Sequence, residues 1–344
     1  MDQLFLIDGS SMLSTSFFGN LPRSYFGARS DSEKAEALQR ILRTSDGLPT
    51  NGVLVMTKIL INLISKYVPS HFAVAWDVSR DTFRRTIYPA YKGTRGEAPD
   101  ELGTQFGVMQ DLLDAMNIPQ FRFPEFEADD ILGTLASRFE TALSVTILTK
   151  DQDALQLVPA RTRVWLHTAK TKIYLQQFGF DEKTYPLPNG FFEFTPHTFR
   201  EVYGLEPKQL IDKKALEGDS SDNIPGVYGV GEKAAIPLLR EFGTIERLYE
   251  HIESLTPAEE KKFKQFIKEL GIARSPLAHL LKEPESEGQL VGKEAAMLSK
   301  KLATIVTDIP ALDNVQLDDL VLSVNREQMA RKLVELEFHS LQAI

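Results

Sequence analysis

Three short apolar runs, each leading into an acid, frame the first half of the chain. Residues 3–7 (QLFLI) predict a buried strand ending at Asp8, residues 71–76 (HFAVAW) a second ending at Asp77, and residues 144–149 (SVTILT) a third leading into Asp151. Helix-period segments lie between them: 53–66, packed against a sheet, 104–116, and 128–140, where Ile131, Leu135 and Phe139 share one face. A polar stretch at 24–46 predicts an insertion with a helix around Ser32–Arg43, and 163–175 predicts one or two further strands. Strands alternating with helices indicate an α/β fold with a mostly parallel sheet flanked by helices. Beyond about residue 190 the pattern changes to short helical segments separated by Gly and Pro turns, such as PHTFREVYGL, PKQLIDKKALEGD and GEKAAIPLLREFG. They predict a smaller all-helical domain. A polar connector (283–294), a helix at Glu294–Ile305 and a tail of mixed character follow. The expected division is 1–190, 191–282 and 283–344.

Composition narrows this picture. The 344 residues are 42% hydrophobic, which suits a full globular core, and contain no cysteine, which excludes disulfides and thiolate metal sites. No apolar run approaches the ~20 residues a membrane span needs. The start, MDQLFLIDGS, has no basic segment of the secretory kind, so a cytoplasmic location is expected. The net charge of −9, spread evenly, would argue against nucleic-acid binding. A pocket that gathers acids around cations carries such a charge without that consequence, so the distribution of charge decides more than the sum.

The acids are not spread evenly. Asp8, Asp77 and Asp151 follow strands, Asp153 follows closely, Glu127, Asp129 and Asp130 open the 128–140 helix, and Asp219 and Asp222 sit in the turn EGDSSDN. In a doubly wound sheet, ligands bind beyond the carboxyl ends of the strands, so Asp8, Asp77 and Asp151 are expected to converge. Gathered acids are costly unless cations neutralise them, and all-oxygen donors favour Mg²⁺ or Mn²⁺ over zinc. Two such ions about 4 Å apart suit phosphodiester hydrolysis. Taken singly each acid has a plainer role, as an N-cap, a turn former or a complement to a helix dipole. Their joint placement is what points to a metal site.

Two further features bear on ligands. Residues 80–95 interleave Arg80, Arg84, Arg85, Lys92 and Arg95 with Phe83, Tyr88 and Tyr91, a composition that suits nucleic-acid backbone and base contacts but also a solvated basic face. The turn Gly226, Gly229, Gly231 with Lys233 opens a helix whose backbone N–H groups can cradle a phosphate, although glycines also serve ordinary tight turns.

Together, LIDGSS (6–11), AWD (75–77), FRRTIYPAYKGTR (83–95), FEADDILGTLA (126–136), ILTKDQDALQLV (147–158), ALEGDSSDNIPGVYGVGEKAA (215–235) and SKKLATI (299–305) resemble the bacterial 5′-nuclease family over nearly the whole chain. That family comprises the 5′→3′ exonuclease domain of DNA polymerase I, its stand-alone homologues, phage 5′ nucleases and, more distantly, flap endonucleases. The resemblance implies a PIN-like or resolvase-like sheet, a helical arch around 80–105, a helix-turn-helix (H3TH) clamp, and a C-terminal segment that returns to the first domain. It implies that Asp8, Asp77, Glu127 and Asp129 hold a first metal ion, and that Asp130, Asp151, Asp153, Asp219 and Asp222 hold or support a second. Lys92 and Arg95 would contact the scissile phosphate, acting in catalysis with Asp8 and Asp151. Arg84, Arg85, Tyr91, Gly226, Gly229, Gly231 and Lys233 would bind DNA, with Tyr91 stacking near the cut end and a potassium ion in the clamp. Expected partners are DNA 5′ ends, flaps and RNA–DNA primers, with a separate polymerase for fill-in synthesis and a monomeric state.

Two departures stand out. Thr15 occupies a position where the family usually has Arg, and the 24–43 insertion is longer than usual. Rival readings are a PIN-type ribonuclease, a metal-dependent phosphatase, and a non-catalytic binder of branched DNA.

Overall fold

Strand β1 (Gln3–Asp8) is buried on both faces because each face meets a separate apolar layer. Leu4 and Leu6 join one hydrophobic cluster, Phe5 and Ile7 the other. A strand covered on both sides reads as a continuous apolar run, which is why β1, β2 (His71–Trp76) and β4 (Ser144–Thr149) were plain in the sequence. The computed structural model describes residues 2–158 and 161–341. With β3 (Gln120–Arg122), β5 (Thr162–His167) and β6 (Phe191–Phe194), the strands form one sheet in the order β3-β2-β1-β4-β5-β6. All pairings are parallel except β5 with β6.

Helix Ala128–Phe139 covers the face of Leu4 and Leu6. Helices Gly9–Phe18, Asn51–Tyr67 and Asp100–Ala115 cover the face of Phe5 and Ile7. Each large apolar side chain so buried contributes roughly 1.5–3 kcal/mol, before the opposing loss of chain entropy. The strand order reverses direction between β1 and β4, so the crevice beyond their carboxyl ends is the topological switch point of the sheet.

The 163–175 segment holds one strand, β5, within the one or two expected, and then helix Thr171–Gln177. Three expectations need correction. The sheet runs past residue 190, because β6 pairs with β5. The insertion folds as helices Arg23–Gly27 and Asp31–Leu38, not as one helix to Arg43. The 80–105 region is not a continuous helical arch: Phe83–Ile87 is helical, turns follow, and helix Asp100–Ala115 begins beyond them.

The helical domain comprises Pro196–Tyr203, Gln209–Glu217, Glu232–Phe242, Ile245–Glu253 and Pro257–Glu269. Helix Gly292–Ala303 packs on Gln209–Glu217, and its Lys300 bonds both Asp212 and Glu246 at 2.8 Å. The chain then reaches the sheet domain, where Leu322 N–H donates to the Ser70 carbonyl and helix Arg326–Glu335 packs on Asp100–Ala115.

Gly9 shows how tightly the first helix sits on the sheet. A Cβ at this position would lie 2.7 Å from Val74 and 2.8 Å from the Trp76 ring. Gly9→Ala is expected to lower stability by about 1–3 kcal/mol through overpacking. Urea unfolding measures this, and an unchanged midpoint would mean that the helix slides freely over β2.

Candidate active site

A cavity of about 760 Å³ opens at the switch point. Asp8, Asp77, Glu127, Asp129, Asp151, Asp153 and Asp219 line it, together with Lys92, Arg95, Lys213 and Lys214. The backbone that carries these acids is stitched by short polar contacts. Asp8 caps helix Gly9–Phe18 by accepting from Ser11 N–H at 2.9 Å, and its other oxygen accepts the Thr149 hydroxyl at 2.6 Å. Thr149 also accepts from Asp151 N–H at 2.9 Å, so one hydroxyl joins the ends of β1 and β4. The Ser10 hydroxyl holds Asp77 N–H at 2.8 Å, and the Asp77 carboxylate accepts from Ala128 N–H at 2.8 Å, at the start of the opposite helix.

The acids crowd one another. Burial, reinforced by Asp77, pushes the Asp8 carboxyl up to about 7. Burial and the neighbouring Asp151 raise Asp153 to about 7. Asp129 is held well above the carboxylate range, chiefly by burial and then by Asp130, and its Oδ1 is buried without a hydrogen-bond partner. Side-chain cations offset part of this charge. Lys92 Nζ lies 2.7 Å from Glu127 and 3.6 Å from Asp222. Arg95 lies 2.6 Å from Asp222. Lys214 bridges Asp153 and Asp219. Burial alone would lower the Lys92 and Lys214 ammonium groups, but the facing carboxylates hold both above their ordinary value.

Among the described residues, no three His, Asp or Glu side chains close around one point tightly enough to hold a metal ion. The donor set nevertheless fits a hard divalent cation. It is all oxygen, it includes the orphaned Asp129 Oδ1, and its raised carboxyls are what a bound cation relieves.

Several expected site residues lie elsewhere or play another part. Asp130 does not face the cavity. It is fully buried and receives the Arg84 guanidinium in two bonds of 2.7 Å, along with Glu127 N–H and Val306 N–H. Arg84 is 1% exposed and also donates to the Leu302 and Thr304 carbonyls, which leaves nothing to offer DNA. Tyr91 is 3% exposed, so its ring has no free face for a base; its hydroxyl bonds Glu127 and Asp222 at 3.2 Å. Gly226 N–H is taken by Ser299, and a Cβ there would lie 2.2 Å from Gly218 N, so this glycine serves packing. Arg85 pairs with the exposed Asp81 at 3.3 Å. Gly229, Gly231 and Lys233 are exposed. Thr15 lines the cavity, while Arg23 is exposed outside it. Lys214 escaped the sequence reading, because a KK pair in an amphipathic helix looks like a solvated face.

An oxygen-rich crevice at the switch point of a resolvase-like sheet, closed on one side by a helical domain, defines a class of phosphodiester-cleaving enzymes. The chain belongs to the 5′-3′ exonuclease family: residues 3–184 match its N-terminal resolvase-like domain and residues 205–328 its C-terminal SAM fold. It is 36% identical over 324 residues to the 5′-3′ exonuclease of Halalkalibacterium halodurans, covering 93% of this chain and 89% of that one. It is 34% identical over 341 residues to DNA polymerase I of Bacillus subtilis, covering 98% of this chain but only 32% of the polymerase. The fold is similar to that of T5 5′-exonuclease with bound zinc (TM-score 0.57, 18% identity, 97% of this chain and 99% of that one). The chain is accordingly a nuclease, and among its described residues no helix is long and apolar enough to cross a membrane.

Proposed function

We propose that this nuclease is a Mg²⁺- or Mn²⁺-dependent enzyme that cuts DNA at 5′ ends and flap junctions, in primer removal and repair. The observation that carries the reading is the gathering of Asp8, Asp77, Glu127, Asp129, Asp151, Asp153 and Asp219 around one cavity with Lys92 and Arg95 on its rim. The acids, with Asp222 behind them, would hold two or more ions. Such ions supply Lewis acidity and a bound water that ionises near neutral pH.

The remaining roles belong to the chain itself. Lys92 and Arg95 exchange their carboxylate partners for the scissile phosphate and stabilise charge that grows on it. Lys214, in contact with both Asp153 and Asp219, offsets their mutual repulsion until substrate and cations arrive. The exposed Gly229, Gly231 and Lys233 grip duplex phosphates beside the start of helix Glu232–Phe242. The duplex grip favours DNA over a small phosphate ester as substrate. The gap left after cutting is assigned to a DNA polymerase acting alongside.

The test is cleavage of a 5′-labelled flap duplex. Junction-proximal products are expected in Mg²⁺ and none in EDTA, with single-stranded RNA of the same length left whole. A flap bound but uncut in both Mg²⁺ and Mn²⁺ would make the chain a branched-DNA binder. Preferential cutting of the RNA would favour a PIN-type ribonuclease.

A further inference from the structure

Lys92 stands in the left-handed region, with φ +52°, where side chains other than Gly, Asn and Asp rarely rest. Something must hold it there. The loop that carries it is anchored to the helical domain at two points only two residues apart. Lys92 N–H donates to the Asp222 carbonyl at 2.8 Å, and the Asn223 side-chain amide donates to the Ala90 carbonyl at 2.7 Å.

The anchoring turn is itself firm. Asp219 and Ile224 exchange both backbone hydrogen bonds, at 2.9 and 2.8 Å, and so close the loop that presents Asp222 and Asn223. Asn223 also has a left-handed backbone, φ +56°, a conformation asparagine tolerates. That geometry turns its amide toward Ala90 and leaves the neighbouring Asp222 carbonyl for Lys92. Beneath the loop, Tyr91 is clamped among Ile224, Leu302 and Ala303. Residues 90–92 are therefore held at each position, and Asn223 bonds the backbone at the start of that short segment.

We propose that Asn223 is a positioning residue: its amide, with the Asp222 carbonyl, keeps Lys92 in the left-handed conformation that brings its ammonium group to the reacting phosphate. The inference rests on the reading of Lys92 given above and assigns the placement of that lysine to the helical domain. Asn223 touches no acid of the cavity through its amide, so its influence on cleavage passes through Lys92.

The experiment is a double-mutant cycle on flap cleavage, using Asn223→Gly, Lys92→Ala and the pair. Glycine accepts φ +56° without strain, so the first substitution removes only the amide. Asn223→Gly is expected to lower kcat about tenfold with KM changed less than about twofold, because a misplaced group costs rate more than binding. Lys92→Ala is expected to lower kcat about 100-fold. The pair should match Lys92→Ala alone to within about twofold, since the amide then has no lysine to place. Urea midpoints, read alongside, should change little for Asn223→Gly and fall equally for Lys92→Ala and the pair, which leave the buried Glu127 and Asp222 without that cation. Equal losses in both backgrounds would mean that Asn223 acts on Asp219, Asp222 or the fold, and a silent Asn223→Gly would mean it places nothing; either result overturns the inference alone. A Lys92→Ala enzyme as fast as wild type would instead overturn the assigned role of the lysine, and the inference with it.

Discussion

Asp151→Asn is expected to slow flap cleavage in Mg²⁺ by about 10³-fold or more, with flap binding in EDTA kept to within about threefold. The substitution is nearly isosteric. Its side-chain oxygen still accepts from Asp153 N–H, the 2.9 Å contact that shapes the turn after β4. The change removes one negative charge from a crevice built of them, and a neutral amide is a poorer partner for a hard divalent cation. A second readout separates lost chemistry from a damaged fold. Asp151 pushes up both Asp8 and Asp153 by like-charge repulsion, so its neutralisation relieves the cation-free protein. The urea midpoint in EDTA should therefore rise while cleavage vanishes. Full activity would remove Asp151 from the machinery, and a lower midpoint would mean that its charge serves the fold.

Arg84→Met is expected to cost about 3–5 kcal/mol of stability, the largest loss for any single substitution considered, because it strands a fully buried carboxylate. Arg84 supplies two of the bonds to Asp130 and also satisfies the carbonyls of Leu302 and Thr304. After the change Asp130 keeps only Glu127 N–H and Val306 N–H, which do not balance a buried charge. Methionine fills much of the volume, so the loss reads the ion pair more than a cavity. Urea unfolding checks the size, and flap affinity checks the role. A loss below about 1 kcal/mol accompanied by weaker DNA binding would return Arg84 to the DNA-binding surface.

These two residues mark where sequence reading succeeded and where it stopped. Asp151 was legible because its place follows from a general rule: buried strands of a doubly wound sheet end at a common edge, and acids at those ends must meet. The same rule placed Asp8 and Asp77. Arg84 was misread because a basic–aromatic run has the same composition on a DNA-facing surface and around a buried latch, and nothing in FRRTIYPAYKGTR alternates clearly enough to tell which side chain turns inward. Tyr91 was misplaced for the same reason. Asp130 sits one position from Asp129, and only the pitch of helix Ala128–Phe139 sends one acid to the cavity and the other into the core. Strands β3 and β6 were missed because each is short: β3 has three residues, two partly buried and Arg122 exposed, and β6 interrupts its phenylalanines with Glu193. Lys214 gave no signal, because one acidic partner, Asp153, comes from another part of the chain and the other, Asp219, lies across the turn after its helix.

The latch at Asp130 has a consequence for the order in which the protein is built. Its carboxylate belongs to the sheet domain, yet the groups that complete its shell, Leu302 and Thr304 through Arg84 and then Val306 directly, are translated more than 170 residues later. Sheet and crevice can collapse early around β1, β2 and β4, and Arg84 can meet Asp130 then, but the backbone groups that complete the pair's shell arrive only after the helical domain has been made and the chain has returned. Contacts of such long sequence separation form slowly, since loop closure must precede their reward. The shell around Asp130 is thus complete only once the segment through Val306 has been made and has returned to the sheet domain.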